Sequence, residues 1–175
     1  MTVQTKIKTK RYLIYALIIF LAHILQNIVP VFPEILSVRP VLLLSVAVCI
    51  AMFEGEIVGA AAGLLAGVLW DTVTVTADGY MALYLTVACA ICGVLLRIFL
   101  RNNIATYFIV NSTILVIYLV TYVLFFIAAR GIDGTTAIFF RYYVPMGLYS
   151  FILTPLWYLL IRTIYRNFSV DYTEY

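Results

Sequence analysis

The feature that most constrains this chain is a series of long apolar runs, of which residues 104–129 form the longest, with no charged side chain. A run of this length exceeds the roughly 20 residues that a helix needs to cross a bilayer. Charged residues make up only 11% of the 175 residues, against about 25% in soluble proteins. The chain therefore cannot cover a water-exposed surface, and the sequence predicts an all-α integral membrane protein rather than a soluble domain.

Charged residues and turns divide the chain into six predicted transmembrane helices, which form one membrane domain over residues 1–175. The second and third runs have 14 residues each and reach only about 21 Å, against about 30 Å of hydrocarbon. We expect this pair to thin the bilayer locally, to extend into its flanks or to form a half-inserted hairpin. The six predicted helices cover residues 12–29, 40–53, 57–70, 80–96, 104–129 and 144–161.

Lysine and arginine indicate the orientation, because cytoplasmic loops carry an excess of them. With the N-terminus inside, three basic residues lie outside, namely Arg39, Arg130 and Arg141, and the other eight lie inside. The eight inner residues are Lys6, Lys8, Lys10, Arg11, Arg97, Arg101, Arg162 and Arg166. The sequence thus predicts a multi-pass protein with both termini in the cytoplasm. The net charge of +3 is spread over several helix ends rather than gathered into a basic stripe, which excludes a nucleic-acid-binding role.

Three glycines recur at every fourth position of the third predicted helix, at Gly59, Gly63 and Gly67. This spacing places them on one helix face, where another backbone can approach closely because no side chain intervenes. The face is predicted to pack against another helix of the same chain. The alternative is an interface with another chain, including a second copy in a homodimer.

Two charged motifs are expected at the outer ends of helices. Asp71 ends the third helix, where the helix dipole disfavours an anion, and Arg39, next to Pro40, is predicted to pair with it near the membrane surface. The alternative for Asp71 is a solvated carboxylate at the interface. Asp78 and Gly79 predict a turn before the fourth helix, since glycine tolerates a positive φ and aspartate bonds its own backbone.

An acidic turn, which contains Glu54 and Glu56, separates the second and third helices on the predicted cytoplasmic side. Arg97 and Arg101 lie on the same side and are available as internal ion-pair partners. The turn could equally meet a basic patch on another protein.

The residue types needed for catalysis do not come together in this sequence. There is a single histidine, and we find no carboxylate pair, metal-ligand cluster or phosphate-binding glycine loop. Cys89 and Cys92 lie in the middle of a predicted helix, which favours packing over redox or metal chemistry. His23, Gln26 and Asn27 share one helix face and are predicted to bond neighbouring helices, with ligand binding or proton relay as the alternative. We predict no enzyme activity, no metal and no cofactor.

The order of these motifs resembles the bacterial rod shape-determining protein MreD family. The resemblance rests on Arg39-Pro40, the Glu54-Gly55-Glu56 turn, the glycine series, the Gly-Val-Leu-Trp-Asp segment at 67–71 and the Gly-Tyr-Met-Ala-Leu segment at 79–83. It covers nearly the whole chain, and one departure is Val41, where the family often carries Asp or Asn.

This resemblance implies a non-enzymatic scaffold of the cell-elongation machinery in the bacterial cell membrane, with a role in cell shape and in the regulation of peptidoglycan synthesis. It implies binding to the membrane protein MreC and, through MreC, contact with MreB filaments and peptidoglycan synthases.

A second class of protein has a similar predicted architecture. Substrate-binding subunits of energy-coupling-factor transporters also have about six short-looped helices with small-residue packing motifs. A vitamin-binding subunit should carry convergent polar groups in its outer loops, and Arg130, Asp133, Arg141 and Tyr142 keep this alternative open.

Overall fold

The computed structural model describes residues 3–27, 40–74, 79–98, 103–127 and 139–167, and every element within these ranges is helical. Over this part of the chain the prediction of an all-α fold is confirmed, and the long apolar helices are consistent with a membrane bundle. The helices are α1 (Val3–Asn27), α2 (Leu42–Glu54), α3 (Glu56–Asp71), α4 (Tyr80–Ile98), α5 (Ile104–Tyr122) and α6 (Val144–Asn167). A π-helical turn, Val123–Ile127, continues α5, and another, Phe139–Tyr143, precedes α6.

The short helix α2 lies at the centre of the described structure. All its residues from Leu42 to Met52 are buried, and it contacts α1, α3, α4, α5 and α6. A helix that is apolar on all sides is typical of such a position. Its 13 residues extend only about 20 Å, but neighbouring helices rather than lipid cover its sides. Whether α2 and α3 thin the bilayer locally, extend into their flanks or form a half-inserted hairpin stays a prediction.

Helices α2 and α3 are joined by Gly55, whose φ of +87° lies in the left-handed region. A residue with a Cβ adopts this conformation only at a cost, and glycine therefore allows the two helices to follow each other without an intervening loop. Helix α3 then runs antiparallel to α4, and these two helices form the most extensive contact between elements.

Among the described residues, three segments are long and apolar enough to cross a membrane, namely Tyr80–Ile98, Ile104–Phe125 and Phe139–Asn167. Helix α2 is a shorter apolar helix. Large apolar side chains such as Leu13, Ile91 and Ile152 are exposed on the outside of the bundle, which suits a surface that faces lipid. The number of crossings and the side of each terminus stay predictions.

Candidate functional site

The glycine face of α3, formed by Gly59, Gly63 and Gly67, lies inside the molecule. A Cβ added to Gly59 would lie 2.7 Å from the Cα of Ala51 in α2. A Cβ on Gly63 would lie 2.8 Å from the carbonyl carbon of Leu85 in α4, and one on Gly67 would meet the backbone of Ala82. Each separation is shorter than real Cβ atoms tolerate, so backbone contact at this interface depends on glycine.

Gly93 in α4 belongs to the same interface, and the sequence analysis did not select it. A Cβ at Gly93 would lie 2.5 Å from the backbone nitrogen of Glu56, at the start of α3. Its four-residue separation from Cys89, another small residue that contacts the glycine face, was the signal that could have found it.

Asp71 caps the N-terminus of α4. Its two carboxylate oxygens accept hydrogen bonds from the backbone N–H groups of Met81 at 3.2 Å and Ala82 at 2.9 Å. Although Asp71 closes its own helix, it lies at the N-terminus of the next one, where unpaired N–H groups and the helix dipole favour an anion. Gly79 forms the turn before α4 with a φ of +82°.

The predicted partner of Asp71 was Arg39, which lies outside the described residues, as does Asp78. The ion pair with Arg39 therefore stays a prediction. The hydrogen bonds from the N-terminus of α4 explain why a carboxylate lies at position 71, and they were not foreseen from the sequence.

Glu54 forms a buried ion pair with Arg11 of α1. Arg11 Nη2 donates to Glu54 Oε2 at 2.9 Å, and the hydroxyl of Tyr15 donates to Glu54 Oε1 at 3.0 Å. The two charged side chains are only 10% and 5% exposed. Arg11 was counted among the cytoplasmic charges but not as the partner of Glu54, because a separation of 43 residues gives no local signal.

Glu56, on the other side of the same turn, accepts a hydrogen bond from Arg97 Nη1 at 2.7 Å. Its own backbone N–H, together with the charge of Arg97, lowers the pKa of the Glu56 carboxyl from 4.5. The Arg97 side chain is 73% exposed, so solvent screens this pair far more than the Arg11–Glu54 pair. Arg101, the other predicted internal partner, lies outside the described residues.

The first backbone N–H groups of α2 are satisfied by side chains from two other helices. Gln26 Oε1 of α1 accepts from Leu42 N at 2.8 Å and from Leu43 N at 3.1 Å. Ser150 Oγ of α6 accepts from Val41 N at 2.7 Å. A buried helix start without partners would be costly, and these bonds complete it. Pro40, which has no N–H, is buried immediately before them.

A polar cluster continues along α2 within the bundle. Asn111 Nδ2 of α5 donates to Ser45 Oγ at 3.2 Å and to Thr154 Oγ1 at 3.0 Å, and Tyr107 donates to the backbone oxygen of Ser45 at 2.8 Å. Asn111 Oδ1 is buried and has no hydrogen-bond partner among the described residues. The cluster thus joins α2, α5 and α6 by directional bonds.

The polar contacts described above each join two helices, whereas the contact of His23 does not. His23 bonds with Asn27 on its own helix, and Cys49, Cys89 and Cys92 are buried free thiols. Within the ranges that the structure describes, no group of three His, Cys, Asp or Glu side chains could hold a metal ion. Arg130 and Asp133, which were relevant to the transporter alternative, lie outside these ranges.

The outward faces of the helices leave apolar grooves between them. One groove, with a volume of about 430 Å³, lies between α4 and α5, where Leu83, Val87 and Ile91 face Ile109 and Ile117. A smaller groove lies between α1 and α3. These surfaces, unlike the glycine face, remain available to lipid or to another chain.

Comparison with known proteins tests the resemblance directly. Residues 7–168 match the family described as rod shape-determining protein MreD. Searches of curated proteins and of solved structures gave no significant match. Because the family match covers nearly all of the 175 residues, the chain belongs to the rod shape-determining protein MreD family.

Proposed function

We propose that this chain is a non-enzymatic scaffold of the cell-elongation machinery in the bacterial cell membrane. It holds an MreC-like membrane protein and, through that protein, acts on MreB filaments and peptidoglycan synthases to regulate cell shape. The observation that carries this proposal is the family match over residues 7–168.

The use of polar groups within the bundle supports a holding role. Asp71, Glu54 and Gln26 all form bonds between helices. A rigid, internally bonded bundle presents its outer surface in a fixed arrangement, which favours recognition by shape.

The partner contact belongs on an outward face of the bundle. The glycine face is already occupied by α2 and α4, so a partner helix would have to displace them to reach it. Exposed apolar positions exist on several helices, including Leu13 in α1, Leu64 in α3, Ile91 in α4 and Ile152 in α6.

Site-directed disulfide crosslinking tests the proposal. Single cysteines replace Leu13, Leu64, Ile91 or Ile152 in a chain whose native cysteines are changed to alanine, and the MreC-like protein of the same organism carries cysteines along its transmembrane segment. We expect at least one outward position to crosslink with it in native membranes. Leu85→Cys is the matched control, because Leu85 is fully buried and should not crosslink.

A cellular readout accompanies the crosslinks. Depletion of the chain in a rod-shaped host should produce rounded cells, and the wild-type chain should restore rods. The scaffold proposal fails if no outward position captures the MreC-like protein, or if depletion leaves cell shape unchanged. Co-purification with a transporter ATPase instead would favour the uptake alternative.

A further inference from the structure

The groove between α1 and α3 lies on a different side of α3 from the glycine face and has a volume of about 300 Å³. Tyr12 and Ala16 line it from α1, Ala61 and Leu65 from α3, and Ile50 of α2 is also part of its lining. Tyr12, Ala16, Ala61 and Leu65 are exposed, so the groove opens toward the membrane.

Small side chains create this space. Ala16, Ala61 and Ala62 face the groove, and none extends beyond Cβ. In the small-residue stretch of 59–67, the glycines contact α2 and α4. Ala61 and Ala62 lie on a second side of the helix and line the groove.

Helical spacing along α1 places a lysine one turn beyond the groove. Lys8, Tyr12, Tyr15 and Ile19 follow one another at separations of four, three and four residues, which places them on one face of α1. Lys8 is exposed and lies about 6 Å beyond Tyr12 along the helix axis. Tyr12 is 40% exposed, as expected for a tyrosine at the level of the lipid headgroups.

The charge at this end of the groove is positive. Glu54 bonds with Tyr15 at the base of the groove, but its carboxylate is already paired with Arg11. Among the described residues Lys8 forms no ion pair, so its ammonium group is available to an anion from outside the chain.

We propose that the α1–α3 groove binds an anionic phospholipid, with one acyl chain along the apolar walls and the phosphate group at Lys8. A single acyl chain is narrow and flexible enough to enter. This inference is independent of the proposed scaffold function.

Native mass spectrometry of the full chain in detergent tests the headgroup contact. Phosphatidylglycerol and phosphatidylcholine with identical acyl chains are titrated separately, and soluble glycerol 3-phosphate is added as a competitor without chains. We expect phosphatidylglycerol to bind roughly fivefold more tightly, the factor that one lysine contributes near an anionic surface. Glycerol 3-phosphate should not compete, because it lacks the part that fills the groove.

Two matched pairs of variants separate this site from general attraction. Lys8→Gln should abolish the preference for phosphatidylglycerol and Lys8→Arg should keep it, whereas Lys10→Gln, which removes an exposed charge outside the Lys8 face, should have little effect. Ala61→Leu should fill the groove and lower the affinity for both lipids at least fivefold. Ala88→Leu, which fills the α4–α5 groove instead, should leave both affinities unchanged.

The folded state of each variant is checked by size-exclusion chromatography and circular dichroism. The proposal is overturned if the wild-type chain binds both lipids equally, or if Lys10→Gln has the same effect as Lys8→Gln. It is also overturned if Ala61→Leu leaves lipid binding intact. If Ala61→Leu leaves lipid binding intact and disrupts a dimer or capture of the MreC-like protein, the groove has a protein occupant instead.

Discussion

At the scale of single residues, most described polar side chains complete the ends of helices or connect neighbouring helices. Asp71 accepts hydrogen bonds from backbone N–H groups of α4, and Gln26 accepts them from backbone N–H groups of α2. Glu54 joins α2 to α1 through its ion pair with Arg11. In hydrocarbon each of these groups would be costly if unpaired, so its substitution should affect stability more than a change on the lipid-facing surface.

Asp71→Ala should lower the free energy of unfolding by about 1 kcal/mol, within the range of about 0.5–2 kcal/mol for the loss of a helix cap. Asp71→Asn retains one acceptor oxygen and should lose less. Unfolding in mixed micelles with increasing sodium dodecyl sulfate measures both variants. Equal stability of Asp71→Ala and wild type would mean that the bonds to Met81 and Ala82 contribute nothing.

Glu54→Gln and Glu56→Gln form a matched pair of substitutions on either side of one turn. Glu54→Gln leaves the buried guanidinium of Arg11 without its counter-ion and should cost about 3–5 kcal/mol. Glu56→Gln affects an exposed pair, which solvent screens, and should change stability little. The same unfolding measurement compares them, and a larger loss for Glu56→Gln would contradict the difference in burial.

At the scale of elements, the sequence predicts where helices form, but it does not predict which helices pack against each other. The glycine spacing placed a close contact on α3, but it did not indicate that Ala51, Leu85 and Ala82 lie opposite. Apolar side chains look alike whether they face lipid or protein, so the central position of α2 could not be derived. Gln26 was placed on a polar face of α1, yet its partners are backbone groups of α2, which have no sequence signal.

Gly63→Ala should destabilise the α3–α4 pair by about 1–3 kcal/mol, because the new methyl group would meet the backbone of Leu85 and force the helices apart. Gly147→Ala in α6 is the control, since its Cβ would meet the side-chain tips of Leu119 at 3.1 Å and Leu115 at 3.9 Å rather than backbone. The control should be nearly neutral, because alanine also favours the helix. Thermal unfolding in detergent distinguishes them, and equal losses would refute the special packing of α3 with α4.

At the scale of the whole molecule, charges at helix ends bear on the orientation in the membrane, while the buried core does not. The basic residues near α1, α4 and α6 predict that both ends of the chain are cytoplasmic. Within the part of the chain that the structure describes, length and composition identify three helices that could cross a membrane, and α2 is not among them because it has only 13 residues.

Reporter fusions test this topology. A green fluorescent protein fused after Tyr175 should fluoresce, and alkaline phosphatase at the same position should be inactive, because each result requires a cytoplasmic end. Alkaline phosphatase fused within residues 131–138 should be active, since this segment is predicted to lie outside. An active phosphatase after Tyr175 would place the C-terminus on the opposite side and contradict the six-crossing arrangement.

The bond between Val41 and Ser150 has a consequence for how the protein is made. The ribosome synthesises α2 long before α6, yet the side chain that accepts the hydrogen bond from Val41 N–H is Ser150 of α6. Until α6 has been inserted, that N–H group must rely on water or on the translocation channel. The order of synthesis therefore delays completion of the centre of the bundle until the last helix arrives, and a nascent chain stalled before Ser150 should remain sensitive to proteases.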